Sequence, residues 1–555
     1  MRVFKPSFQK IVIAFATLVI FFGIHLRFSN LDLKIFWYDE AISATRIVGS
    51  FDSSEIPNFF KEHRAKLTPI SEFSKLREQQ SDKNILNTLK VSLPDSHVAP
   101  LYYLIGHIWV SAFGDSITAI RSLSAIFGVG AIGAMLWCAS ILFNSSQAGF
   151  MAAALLASSP FMVLYSQEAR MYSLWALTIL ICHSCFIQAI RNPTRRSWLL
   201  YSISTAVSFY SHLFTLFVIA SHCAYIFLTN TWLRSHFDSS KVLKKFSLSI
   251  ILIFSLFAPW IVVILAKASD VKARAGWLDA PMPWNKVINT FLASIANVIT
   301  SVSNHALPFW ERHGISSYEQ ITFLFIFGIV FAALYSLLKS LLISQADIKN
   351  SSQKNIGLFL ICLFLAPVFF FVLPSAILGK TLGNILRYYV PIILSIQLAL
   401  TFFIFYQRTS TLRKGSVMIW ALLCILSLES SHQAVAKKTS WTKGYDSPLW
   451  DVIEDIKSAN QPIVFTTSDL GVNLLTLSYY LDPKTQLLVT PSLNKLNDTD
   501  ISAIQNQMEL GQEILVFQPS TEAIQKLADL TGYQTQVLQD KGNTMLSRLV
   551  TSSQK

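Results

Sequence analysis

Apolar runs recur along the 555-residue chain, each close to the roughly 20 residues a helix needs to cross a ~30 Å hydrocarbon core. Backbone in lipid must satisfy its own hydrogen bonds, and runs of this length do so as helices and not as a barrel. Composition agrees, since 52% of residues are hydrophobic, only 14% are charged and 41 are Phe, outside the range of soluble domains. The expectation is an α-helical polytopic membrane protein.

Nine single spans are expected: Ile11 to Phe28, Ala119 to Phe143, Ala148 to Tyr165, Tyr172 to Ile190, Phe246 to Ala266, Ile321 to Ile343, Ile356 to Ile377, Leu386 to Tyr406 and Ser416 to Leu428. The stretch from Trp198 to Thr229 lies between two basic loops, one with Arg191, Arg195 and Arg196, the other with Arg234, Lys241, Lys244 and Lys245. Cytoplasmic loops carry the Lys and Arg excess, so an even number of crossings separates these two. Two short helices reversing near His212 satisfy that parity and bring the total to about 11 spans. Leu101 to Phe113 is apolar but too short to cross. Leaving it at the outer interface keeps the Arg2/Lys5/Lys10 terminus, both basic loops, Lys349/Lys354 and Arg408/Arg413/Lys414 on the cytoplasmic side.

On this map the first outer loop (29–118), a second large loop (267–320) and everything after about Ser430 face away from the cytoplasm. The domain boundaries expected are 1–435 for the membrane part and 436–555 for a small α/β domain. In the tail, strands are predicted at Pro462 to Thr467, Gln486 to Val489 and Glu513 to Phe517, with a helix over Thr499 to Leu510. A final hairpin pairs Thr535 to Leu538 with Thr544 to Val550 around Lys541-Gly542-Asn543. Ile11 to Phe28 has no small-residue cleavage site after it and reads as a retained span.

The net charge of +13 is unevenly spread. From Ser440 onward 8 basic residues face 13 acidic ones, a balance of −5, so the preceding part carries +18. That excess belongs to loops that anchor topology on anionic lipid, and nucleic acid is not implied. The six cysteines (Cys138, Cys182, Cys185, Cys223, Cys362, Cys424) lie within apolar segments without metal-ligand spacing, so neither a disulfide framework nor a zinc site is expected.

Chemistry-bearing residues gather in the outward segments. Asp39 and Glu40 follow the first span and the Trp37-Tyr38 pair, where partial desolvation raises a carboxylate toward the range of a general base; a solvated loop start is the plainer alternative. The turn Tyr165-Ser166-Gln167-Glu168-Ala169-Arg170-Met171-Tyr172 sets an acid, a base and two phenols between spans, and a helix-capping ion pair would also explain it. Arg121 and Arg387 sit just inside span ends, where snorkelling accounts for each alone and a shared phosphate accounts for several together. His97, His107 and His212 read first as structural.

Together Trp37-Tyr38-Asp39-Glu40-Ala41, Pro100-Leu101-Tyr102-Tyr103, Arg121-Ser122-Leu123-Ser124-Ala125, Tyr165 to Tyr172 and Arg387-Tyr388 resemble the glycosyltransferase family 39 membrane enzymes of GT-C fold. That family includes protein O-mannosyltransferases and the aminoarabinose transferase of lipid A. The resemblance covers roughly residues 10 to 430. It implies transfer of a sugar, with inversion, from a polyprenyl-phosphate donor to a lipid, glycan or protein acceptor at the outer face of the plasma membrane. It further implies Asp39 and Glu40 as catalytic residues, and Glu168, Arg170, Tyr172, Arg121, Arg387, Tyr388, His97 and Tyr102 as substrate-binding ones. A divalent metal, if used, would fall to Glu40 or Glu168. This chain departs from the family pattern at His97-Val98-Ala99-Pro100, where relatives carry His-Pro-Pro, so His97 is displaced by one position. For the Ser440 to Lys555 domain the resemblance names no counterpart. A polytopic transporter or flippase of a lipid-linked sugar, and a non-catalytic relative, are the alternatives. A flippase would be expected to show broken helices and paired repeats near mid-membrane, and neither is expected here, since the notable charges cluster at one face.

Overall fold

In the computed structural model the described residues are 6–50, 56–231, 239–301, 317–342, 348–407, 409–440, 442, 448–492, 496–518, 521–541 and 544–550. Arg234 and Arg408 of the basic loops, and Gly542-Asn543 of the expected hairpin turn, lie outside them. The chain divides into a bundle unit (1–31, 93–102, 121–436) and a sheet unit (32–92, 103–120, 437–555). Most of the first loop groups with the tail in the sheet unit.

Eight helices among the described residues are long and apolar enough to span a membrane, or nine if a bent pair counts as one span. The protein is a multi-pass membrane protein. Reaching 11 requires crossings by Arg195–Ser211 and Thr215–Thr231, of 17 residues each, whose length of about 25 Å is just short of the hydrocarbon core.

The bent pair corrects the single span expected over Ala148 to Tyr165. Helix Ser146–Ser158 stops, and helix Pro160–Ser166 restarts at 65° to it. The cause is local: Pro160 has no N–H for the carbonyl of Leu156 four residues earlier. The freed acceptors are satisfied from other helices. Arg27, fully buried on the Pro6–Phe28 helix, donates to the carbonyls of Leu156 (3.1 Å), Ala157 (2.8 Å) and its own Gly23 (2.7 Å). Ser427 and Ser431 donate to the carbonyl of Ser158 (3.0 and 2.6 Å), and the Phe161 amide turns to Asn297. Gly23 permits the approach, since a Cβ there would collide with the Ala157 carbonyl. The bend thereby sends Tyr165 to Tyr172 into the interior, where every residue is buried.

The sheet unit is built on six strands: β1 (Leu67–Pro69), β2 (Ile463–Thr467), β3 (Gln486–Thr490), β4 (Ile514–Gln518), β5 (Gln534–Lys541) and β6 (Thr544–Val550), in the order β1-β3-β2-β4-β6-β5. The central β3, β2 and β4 are parallel, and β5 and β6 form the antiparallel hairpin. β2 is buried along its whole length, as an apolar and β-branched run covered on both faces should be. Its core joins Ile463, Phe465, Leu488, Ile514 and Val516 to Ile504 and Leu527 of helices Asp498–Glu509 and Thr521–Thr531. The expected strands and helix lie within about one residue of these elements, except that β5 runs three residues past Leu538 and takes in Lys541, which was expected in the turn.

β1 comes from the first loop and was not expected. It pairs antiparallel with β3, Leu67 opposite Leu488 and Pro69 opposite Gln486, so its proline sits on an edge strand as the missing N–H requires. Arg64 beside it forks onto Asp500 at 2.5 Å. Asp500 also closes the capping box with Asn497. The first loop and the tail are thus parts of one sheet-centred fold. Leu101–Phe113 is a helix, as expected, with its own bounds.

Candidate active site

Within the bundle unit, the Gln167 to Met171 turn is fixed from several sides. The Gln167 amide donates to the carbonyls of Leu26 (2.8 Å) and Ser29 (2.7 Å), closing the end of the first helix. The Arg170 carbonyl accepts from the Ser124 hydroxyl (3.3 Å), which itself bonds the Tyr102 phenol (2.8 Å). Gly128 faces Ser166 and Arg27 where no Cβ fits. Tyr102, Ser124 and the turn, separate pieces of the sequence pattern, are therefore one assembly.

Arg170 lies over the Tyr172 ring (5.9 Å), and Arg387, from the Leu386–Tyr389 turn, lies over Tyr388 (5.7 Å). His212, at the reversal between Arg195–Ser211 and the next helix, joins the two groups. Its ring stacks on Trp175 (4.1 Å, 17°) and meets Tyr172 (6.0 Å) and Tyr388 (5.6 Å). Burial, reinforced by the charges of Arg170 and Arg387, pushes the imidazole down to about 3. It is neutral at ordinary pH. Its Nδ1 accepts the Phe214 N–H at 3.1 Å, so the ring proton resides on Nε2. Two guanidinium groups, two phenols and a neutral N–H donor converge.

His97 lies half-buried in a braced segment. Arg274 pairs with Asp95 at 3.4 Å, and the Trp260 indole donates to the Ser96 carbonyl at 3.0 Å. Arg121 is buried and donates to the Leu31 carbonyl at 2.6 Å.

Asp39 and Glu40 belong to the sheet unit, in the first turn of helix Tyr38–Val48. Glu40 is fully buried and accepts the Trp37 N–H at 3.4 Å, while Asp39 is half-buried. Tyr38 is raised above the ordinary phenol range by burial and by the Asp39 charge. His107 has the structural role expected of it, bonding the Ile47 carbonyl and the Thr88 hydroxyl at 3.0 Å each. Among the described residues no three His, Cys, Asp or Glu side chains gather as a metal cage.

Residues 97–262 match the family model of the dolichyl-phosphate-mannose-protein mannosyltransferases. Among curated proteins none matches the sequence. Across 99% of both chains the fold matches ArnT from Cupriavidus metallidurans bound to undecaprenyl phosphate, at TM-score 0.50 and 12% identity. The fold is that of the GT-C membrane glycosyltransferases. The oligosaccharyltransferase of Archaeoglobus fulgidus, in the apo form, gives TM-score 0.48 at 14% identity, covering all of this chain and 76% of that one. The family match includes His97, Tyr102, Arg121, the 165–172 turn and His212, and leaves out Asp39 and Arg387. His212 is the site residue that sequence reasoning set aside. Its one local signal is its place at a helix reversal between Tyr210 and Phe214.

Proposed function

We propose that the protein transfers a sugar from a polyprenyl-phosphate donor to an acceptor at the non-cytoplasmic face of the membrane, with inversion at the anomeric carbon. The observation that carries this is the convergence of the buried Arg170, the neutral His212 and the half-buried Arg387 on one aromatic-walled site. Guanidinium groups match phosphate oxygens in charge and geometry, and a buried set of donors stabilises a departing phosphate more than the same donors in water. The GT-C fold supports the same assignment.

Asp39 acts as general base. It takes the proton from the acceptor's nucleophilic atom as that atom bonds to the anomeric carbon. The bond from that carbon to the phosphate oxygen breaks, and its electron pair leaves with the lipid phosphate. Arg170, Arg387 and the His212 Nε2–H hold the leaving group, while Tyr172 and Tyr388 form the wall around it. Arg121 steadies the end of the first helix through Leu31, and Tyr102 steadies the turn through Ser124. Glu40 and Glu168 position the acceptor, and the His97 segment borders the sugar. No step in this scheme depends on a metal.

The test is purified protein incubated with a panel of polyprenyl-phosphate sugars, with release of lipid phosphate and formation of glycosylated acceptor as readouts. Release with at least one donor is expected. No release from any donor, with the protein folded, would overturn the proposal.

A further inference from the structure

The segment that delivers Asp39 to its helix is held by two tyrosines from the tail, more than 440 residues away in sequence. Ile35 to Trp37 lies outside helix and strand, where backbone amides are satisfied by side chains or loop partners. The Trp37 N–H goes to Glu40. The Phe36 N–H goes to the Tyr480 phenol oxygen at 2.8 Å. Phe36 itself is fully buried, and its ring packs on Tyr479 at 4.7 Å.

The tyrosines are themselves fixed. The Tyr480 ring packs on Trp450 (4.9 Å), whose indole donates to the Lys438 carbonyl (3.3 Å). The Tyr479 ring lies under Arg77 (3.8 Å), and that guanidinium grips Ser478 twice, at the hydroxyl (2.8 Å) and the carbonyl (2.7 Å). Burial holds the Tyr479 phenol above its ordinary range, with Asp115 and Glu40 adding to it and Arg77 opposing, so Glu40 is within electrostatic reach of this ring. Such an arrangement sets the backbone three residues before Asp39 from a rigid, sheet-supported turn.

We propose that Tyr480, with Tyr479, is a positioning element for the catalytic carboxylate: the tail fixes the register of the Phe36–Glu40 segment and so the placement of Asp39. This rests on the assignment of Asp39 as general base. A misplacement of about 1 Å at a reacting group costs on the order of 100-fold in rate, so loss of a single fixing bond reaches turnover without touching substrate.

Tyr480→Phe removes only the oxygen and leaves the ring on Trp450. In the full-length protein the expected result is a kcat lower by about 10- to 100-fold, donor KM within about twofold, and a melting temperature lowered only by the few degrees that one unpaired buried amide implies. Amide exchange across residues 35–41 should be faster. A kcat within about twofold of wild type, or a fall accompanied by a matching rise in KM, overturns the proposal. Asp39→Asn is run beside it. If Asp39→Asn is inactive while Tyr480→Phe is normal, only the positioning role fails; if Asp39→Asn transfers normally, the general-base assignment fails and the positioning role with it. Should Tyr480→Phe not fold, Trp450→Phe, which loosens the support beneath the same ring, takes the same kcat and exchange test.

Discussion

Replacing His212 by Phe keeps a flat ring on Trp175 but removes the Nε2–H proposed to reach the donor phosphate. A hydrogen bond to a charged group contributes roughly 1.5 to 3 kcal/mol, so affinity for the donor lipid should fall by about 10- to 100-fold. The acid behaviour of the wild type is equally informative. The donor is a phosphodiester whose own charge is constant from pH 5 to 8, and an imidazole held at about 3 stays neutral throughout. Wild-type affinity should therefore be flat across that window. Stability should not be. The folded value lies below the unfolded one of about 6.5, so between those values the unfolded chain binds more protons. This stabilising contribution is complete above about pH 6.5 and is lost as the pH falls toward 3, at up to about 1.4 kcal/mol per pH unit. His212→Phe should show a correspondingly shallower acid slope in its melting temperature. The assay is donor-lipid binding to detergent-purified protein, paired with thermal unfolding, across pH 5 to 8. Wild-type affinity that rises tenfold as the pH drops through 6.5 would mean an imidazolium at the site, and His212→Phe binding donor as tightly as wild type would remove the residue from it.

Arg27→Met strips three carbonyls of their buried donor, and after the relief of not burying a guanidinium the net loss should be about 3 kcal/mol; an unchanged melting temperature would show that the Pro160 bend does not depend on it. In a Cys223→Ser background, which removes the exposed native thiol, an impermeant thiol reagent should label Trp277→Cys in intact cells and Lys241→Cys only after permeabilisation. Labelling of Lys241→Cys in intact cells would invert the topology. Arg387→Ala should weaken donor binding itself, by roughly 2 to 5 kcal/mol if the ion pair is buried; normal donor binding would remove Arg387 from the phosphate site.

The elements that could be read from the chain alone are those whose signal is local. Spans show as continuous apolar runs, Leu101 to Phe113 as one that is too short, and β2 to β4 as apolar strands between polar helices. The bend at Pro160 did have a local signal, a proline in mid-run, but membrane helices tolerate proline, so Ala148 to Tyr165 reads as one apolar run. β1 was hidden for a different reason. Leu67-Thr68-Pro69 is three residues with a proline, and its strand character exists only opposite Gln486 to Leu488. The site divides in the same way. Asp39-Glu40 and the Ser166 to Tyr172 turn are contiguous motifs, whereas the meeting of Arg170, His212 and Arg387 spans more than 200 residues and is a product of helix packing.

The most direct measurement is lipid-phosphate release from polyprenyl-phosphate sugars by wild type and Asp39→Asn in the same detergent, with donor affinity recorded for both. Wild type should release lipid phosphate with at least one donor, and Asp39→Asn should bind that donor normally while releasing it about 10²- to 10⁴-fold more slowly. An Asp39→Asn protein that turns over at the wild-type rate would contradict the general-base mechanism.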